Sequence, residues 1–391
     1  MLLLPLSPFS AEAFGLGIGA RVIGKHLPDI LDFGVCGVLK LFNSSCPQFI
    51  NDFRGSQNLP EDISAGTLLL NFSIGDARQK VSLIADTTTD LTFMLCQPCR
   101  DCAVEANIAV YNISRPETFS KYMCQGSTEC LGSRYTVCSS ESCTYYYADY
   151  PYVSSKGFLA KDTFFVSDDN PVPVVFGCGM ENTGNFGNSA GYVGLGLGNL
   201  SFVSQLNVSI FSYCFSSFPS ESAVFFGSDV RLHDSALSSS TKLLPNRIDP
   251  ALYYVNMTGI TVGNKRVEIP TTAYLPQPNG RGGIIVDSVS SVTLLEESVY
   301  LAMKQEFINQ VKLPQADASP YGLNLCFKIC PEEHDVDVAD LTVHFAGRDL
   351  NPSNYFLKDA DGGVLYMLNG ASIKRDTCAG KPHAGEPAYG I

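Results

Sequence analysis

The sequence predicts an all-β protein of two lobes, and three observations carry that expectation. A short pattern occurs twice. Leu83-Ile84-Ala85-Asp86-Thr87 returns 201 residues later as Ile284-Ile285-Val286-Asp287-Ser288, and Thr89 and Leu91-Thr92 find counterparts in Ser290 and Val292-Thr293. Between and around the two copies, short apolar runs alternate with Gly, Asn and Asp turn signals, the grammar of strands and hairpins. Only one stretch, Glu296 to Lys312, carries a helical period, with Val299, Met303, Phe307 and Val311 on one stripe. A chain of 391 residues is long enough for two cores.

Taken in order, residues 1–58 show no clear period and read as a leader or pro-segment. Met1-Leu2-Leu3-Leu4 is apolar, but Pro5 and Pro8 interrupt it, and Ala11-Glu12-Ala13 offers a cleavage site. The first lobe is expected over 59–228. Thr67 to Ile74 is a strand closed by Gly75-Asp76, and Lys80 to Ala85 is the next. Asp90 to Met94 follows the loop that carries Thr87 to Thr89. A cysteine-rich insert spans 96–143. Cys143 to Tyr152 and Gly157 to Val166 form a hairpin with its tip at Asp149 to Lys156. Val172 to Phe176 is a buried strand ending in Gly177-Cys178-Gly179.

Gly191-Tyr192-Val193-Gly194-Leu195-Gly196-Leu197-Gly198 lacks the Lys of a phosphate-binding loop. Its glycines are read as letting strands cross closely. The second lobe is expected over 229–363. It opens with the Tyr253 to Lys265 hairpin, turning at Gly263-Asn264, and holds the helix and the strand Leu341 to Phe345. From 364 to 391 small and polar residues predict a disordered tail.

Composition narrows the function. A net charge of -13 disfavours nucleic acid, because binding phosphates needs a basic face. No stretch is long and apolar enough for a membrane-spanning helix. Of 14 cysteines, seven fall between Cys96 and Cys143. The Cys96-x-x-Cys99-x-x-Cys102 spacing is too tight for two zinc ligand pairs and no His lies near, so disulfides are favoured over metal. Disulfides imply an oxidising compartment. Six Asn-x-Ser/Thr sequons, at Asn43, Asn71, Asn112, Asn199, Asn207 and Asn256, agree with passage through the secretory route.

The repeated aspartates carry the chemistry. Either alone would be a common Asp-Ser/Thr turn. As a pair in one apolar frame, Asp86 and Asp287 are candidates for a catalytic dyad. Two carboxyls about 3 Å apart cannot both ionise, so one is an acid while the other is a base. A water between them can then attack an amide without metal, cofactor or covalent intermediate. Thr87 and Ser288 are placed to cross between the lobes, and Thr89 and Ser290 to hold the outer carboxylate oxygens. The five histidines lie in unlike settings, and no Gly-x-Ser-x-Gly elbow supports a serine triad.

These motifs resemble the pepsin-like aspartic proteases, within them the plant nepenthesin-like branch. Asp86-Thr87-Thr88 stands where that family has Asp-Thr-Gly, and Asp287-Ser288-Val289 where it has Asp-Ser-Gly. Cys96-Gln97-Pro98-Cys99 resembles its cysteine insert. Tyr147-Ala148-Asp149 resembles the start of its flap, expected near 145–160, and makes Tyr147 the substrate-side flap tyrosine. Phe176-Gly177-Cys178-Gly179, Val193-Gly194-Leu195-Gly196, Phe211-Ser212-Tyr213-Cys214 and Asn354-Tyr355-Phe356 match in order. The resemblance implies a pepsin-like bilobal fold with an inter-lobe cleft. It also implies a monomer acting on proteins or peptides at acid pH, secreted or vacuolar.

The chain departs from that pattern at three places. Thr88 and Val289 replace the two glycines, and their Cβ atoms are expected to push the lobes apart or twist the carboxylates. The flap carries Tyr150-Pro151 and two extra residues. An Ile-Phe-Gly-Asn-like stretch is missing after Gly363, which reads as a truncated second lobe, and Cys326 is left to pair with Cys330 or Cys378. A non-catalytic binding protein that inhibits secreted glycoside hydrolases is therefore the rival reading, and a truncated gene product a third.

Overall fold

The computed structural model describes residues 2–3, 18–19, 30–32, 34–35, 68–102, 108–124, 130, 133–139, 141–149, 153–167, 170–214, 223–227, 240–278, 282–289, 295, 297–316, 325–328, 338–350, 356–358 and 364–367. It is a two-lobed all-β fold. The first lobe is built on one 11-stranded sheet. Leu69–Ile74 and Gln79–Asp86 pair antiparallel around the Gly75 turn, in the register Leu69↔Ile84 and Leu70↔Leu83. Their inward residues, Leu70, Phe72, Ile74, Val81 and Leu83, are buried, which is why an apolar run of this length settles as a strand. The third strand is Phe93–Gln97, starting three residues later than the sequence suggests.

Gly191–Gly194 lies between these strands. It runs parallel to Gln79–Asp86 (Gly194↔Asp86) and antiparallel to Phe93–Gln97. A Cβ on Gly191 would meet the Phe93 carbonyl oxygen at 2.2 Å, so this crossing requires glycine. Ser142–Asp149, Val153–Ser167 and Asn170–Gly184 form a long antiparallel meander. The flap hairpin is tighter than expected. Pairing persists to Asp149↔Val153, so Val153 to Lys156 belong to the strand, and 150–152 lie outside the described residues.

The second lobe repeats the motif. Tyr254–Val255 pairs with Ile284–Ile285 as Tyr254↔Ile285 and Val255↔Ile284. That is the register of the first lobe carried over residue by residue. The hairpin Met257–Val262 to Lys265–Arg266 turns at Gly263, whose φ is 55°. The helix Glu297–Gln310 lays Val299, Met303 and Phe307 into the core, and Phe307 is fully buried. Gln310 ties its end to the strand, donating to the Val262 carbonyl at 2.6 Å. Leu341–Phe345 pairs with Met257–Val262.

Both ends contribute strands that the sequence did not reveal. The region read as leader or pro-segment contributes Leu2–Leu3 beside Ile284–Ile285 and Ile30–Asp32 beside Ser240–Lys242. Runs of two or three residues are too short to reveal a period. The tail expected to be disordered from 364 begins as a strand. Val364–Met367 pairs with Cys326–Lys328 and Phe356–Lys358, supplying the partners its own composition hides. The residues from 368 onward lie outside the described residues.

Disulfides join Cys96 to Cys178, Cys124 to Cys138 and Cys130 to Cys143. Cys99 and Cys326 are also disulfide-bonded. Cys330 and Cys378, named above as partners for Cys326, lie outside the described residues. Cys124, Cys130 and Cys143 gather their sulfurs within 4.8 Å of one another, but those sulfurs are taken up in disulfides.

Candidate active site

The two sheet motifs deliver their aspartates to one place. Asp86 ends the strand Gln79–Asp86, and Asp287 stands two residues past Ile284–Ile285. Both are buried, at 2% and 6% exposure. The next residue on each side crosses to the other lobe. The Thr87 N–H donates to Ser288 Oγ at 3.1 Å, and the Ser288 N–H donates to Thr87 Oγ1 at 3.0 Å. Each hydroxyl then donates onward, Thr87 to the Val286 carbonyl at 3.1 Å and Ser288 to the Ala85 carbonyl at 2.7 Å. These four bonds are reciprocal and buried, so neither loop can move without breaking bonds made by the other.

The carboxylates are held by the residues that replace glycine. Asp86 Oδ1 accepts from the Thr88 N–H at 2.7 Å and from the Thr88 hydroxyl at 2.6 Å. Asp287 Oδ1 accepts from the Val289 N–H at 2.7 Å. The expectation that these Cβ atoms would force the lobes apart is corrected. Neither Thr88 nor Val289 is among the described residues with positive φ, so neither position demands glycine. Val289 packs on the first-lobe apolar cluster that includes Leu91, Phe93 and Tyr147.

Thr89 has a different place from the one expected. Its hydroxyl accepts from the Leu91 N–H at 3.1 Å and shares a side-chain hydrogen bond with Tyr135. No bond to Asp86 is present, because Thr88 brings a nearer hydroxyl to the same carboxylate. Ser290 lies outside the described residues.

Aromatic rings wall the site. Tyr147, opposite Ser155 in the flap hairpin, is buried and packs on Phe93 at 4.7 Å between ring centroids, on Tyr135 at 5.4 Å and on Tyr192 at 5.8 Å. Tyr192 stacks on Phe93 at 5.4 Å. Burial raises the phenols of Tyr147 and Tyr192, and the charge of Asp86 raises them further. Both rings therefore border the dyad. The sequence singled out Tyr147 but not Tyr192, although Tyr192 precedes Val193 in a run already marked as a close crossing.

Electrostatics favours the protonated form of Asp86. Burial is the largest influence on Asp86, followed by the charge of Asp287. Together they outweigh the Thr88 hydrogen bonds and lift its pKa to about 7. A third carboxyl, Asp149 at the end of the flap strand, is raised by burial and then by Asp287. At mildly acidic pH Asp86 is therefore protonated, and were its partner ionised a water seated between the carboxyls would face one acid and one base.

Comparison with known proteins agrees with this geometry. Two family profiles match, described as xylanase inhibitor N-terminal over residues 69–228 and xylanase inhibitor C-terminal over 252–366. The chain is 33% identical over 315 residues to aspartic proteinase nepenthesin-2 of Nepenthes gracilis, covering 78% of this chain and 70% of that one. It is 34% identical over 313 residues to nepenthesin-1 of the same plant, covering 78% and 71%. Among solved structures it resembles edgp, with a TM-score of 0.60, 18% identity and coverage of 83% and 87%. Basic 7S globulin from soybean follows, with a TM-score of 0.58, 17% identity and coverage of 83% and 88%. At such identities these two structures speak for the fold alone.

Proposed function

The chain belongs to the nepenthesin-like plant aspartic proteases, by family hydrolases of peptide bonds, and from that premise we propose that it is an acid-active endopeptidase with Asp86 and Asp287 as its catalytic dyad. The observation that carries this reading is the reciprocal Thr87–Ser288 exchange beneath two buried carboxyls, one of them raised to about 7. A pure binding surface gains nothing from burying two such groups together, since burial and mutual repulsion both disfavour their charge.

In the proposed step the ionised carboxylate takes a proton from water as its oxygen attacks the substrate carbonyl carbon. The protonated carboxyl gives its proton to the carbonyl oxygen. A proton then passes to the amide nitrogen, the C–N bond breaks, and an acid and an amine leave. Asp86, raised to about 7, keeps the proton and is assigned as the acid, which leaves Asp287 the role of the ionised base. The substrate is a protein or peptide segment lying extended along the cleft. The Phe93, Tyr147 and Tyr192 wall favours apolar side chains beside the bond. The disulfides support a secreted or vacuolar protein, and the chain is read as a monomer.

The test is casein cleavage across roughly pH 2 to 6, the window set by ordinary and raised carboxyl values. Pepstatin-sensitive cleavage that Asp287→Asn abolishes is expected, and a purified, folded chain without it would remove the reading. A second reading is favoured by the description of both matching profiles, namely inhibition of a secreted xylan-degrading hydrolase. Titrating a purified xylanase with the chain decides it, since loss of xylanase activity together with no peptide cleavage would select the inhibitor.

A further inference from the structure

The cysteine-rich insert sends one short segment back onto the dyad loop, and its contacts close a ring through both lobes. Ser133 donates its hydroxyl to the buried Asp90 carboxylate at 3.0 Å, four residues past Asp86. Tyr135 shares a side-chain hydrogen bond with Thr89 and packs its ring against Tyr147 at 5.4 Å. Between them Arg134 donates to the Tyr135 oxygen at 2.6 Å and forms an ion pair with Asp249 of the second lobe. The other Asp249 oxygen is buried with no hydrogen-bond partner, so the carboxylate leans on the guanidinium.

From Asp249 the ring returns through backbone. The Leu197 N–H donates to the Ala251 carbonyl at 2.8 Å, and the Gly196 N–H donates to the Thr89 carbonyl at 2.9 Å. A Cβ on Gly196 would stand 2.7 Å from one of these carbonyl oxygens and 2.8 Å from the other, so the junction is closed tightly. The segment is anchored on both flanks, by Cys130–Cys143 and by Cys124–Cys138.

We propose that Ser133-Arg134-Tyr135 is a positioning strap for the dyad. It ties the loop carrying Asp86 to the second lobe, and Arg134 is the residue on which the tie depends. None of the three touches the reacting atoms, so they are positioning residues. Their effect passes through Thr89 and Asp90, the two neighbours that hold the dyad loop from behind. This gives the insert a catalytic purpose beyond bracing a region poor in aliphatic side chains. The proposal deepens the endopeptidase reading and, for its kinetic arm, rests on it.

The guanidinium is about half exposed, with 45% side-chain exposure, so its ion pair adds little to global stability. Its loss should show in loop position instead. The test compares the unaltered full chain with Arg134→Gln, Arg134→Lys, Asp249→Asn and the Arg134→Gln/Asp249→Asn double variant. Two readouts are taken, namely steady-state cleavage of a peptide substrate and amide hydrogen exchange over residues 86–93 and 246–253. A misplacement of about 1 Å can cost about 100-fold in rate. A partial release should therefore lower kcat about tenfold in Arg134→Gln, with KM within about twofold and an unchanged melting temperature. Asp249→Asn should match it, the double variant should be no worse, and Arg134→Lys should recover most of the rate. Exchange should quicken in both segments of the two single neutralised variants.

Unchanged kcat, or additive losses in the double variant, would overturn the strap. If the unaltered chain cleaves nothing, the endopeptidase reading falls by itself. Exchange then decides the strap alone, and equal protection in Arg134→Gln and the unaltered chain sinks it.

Discussion

Thr88 shows how one residue can change meaning between sequence and structure. In the sequence it is a lost glycine, expected to damage the site. In the fold it is a second donor to Asp86, made possible because its backbone needs no left-handed conformation. A hydrogen bond to the charged form lowers a carboxyl pKa. Thr88→Val removes the hydroxyl and keeps the Cβ, so Asp86 should titrate higher still. The alkaline limb of the pH–rate profile should then move up by about one unit, the equivalent of one net hydrogen bond, while Thr88→Ser leaves it in place. The aspartates and crossing hydroxyls were legible in the sequence because a duplicated pattern exposes them. Tyr135 and Tyr192 were not, and Thr89 was singled out for a bond it does not make, because these contacts join segments that share no pattern with the dyad.

Elements were readable where burial imposes a period. The Val299, Met303, Phe307 stripe identified the helix Glu297–Gln310, since a 3.6-residue repeat leaves few alternatives. Phe307→Ala should cost about 3 to 5 kcal/mol, as a fully buried ring leaves a cavity behind, and urea unfolding measures it. The strand Val364–Met367 was illegible for the opposite reason. It is short, follows the Gly362-Gly363 pair, and gains its order from two neighbours rather than from its own composition. The flap tip was read as Asp149 to Lys156 because Tyr150 and Pro151 interrupt the strand pattern, whereas cross-strand pairing already runs from Val153. Gly157 marks a bulge there, and a Cβ on it would stand 1.9 Å from the Cys178 carbonyl oxygen. Gly157→Ala should therefore destabilise the first lobe by about 1 to 3 kcal/mol, read from its urea midpoint.

Across the whole molecule, the raised Asp86 couples stability to pH. Its folded value of about 7 lies above the ordinary 3.8, so between these values the folded chain binds more protons than the unfolded one. The contribution is therefore fully present below the ordinary value and is lost as pH rises through about 7. The melting temperature should fall from pH 4 to pH 7.5, and Asp86→Asn, which carries no titrating group there, should flatten that slope. A scan in which the unaltered chain gains stability over the same range would contradict the assignment. The aromatic wall of the cleft has an optical consequence. The chain contains 18 Tyr and no Trp. Its near-ultraviolet emission thus comes from tyrosine, with no indole to mask it. Tyr147 and Tyr192, beside the dyad, are reporters built into the cleft, so a bound inhibitor can be followed by intrinsic fluorescence without a label.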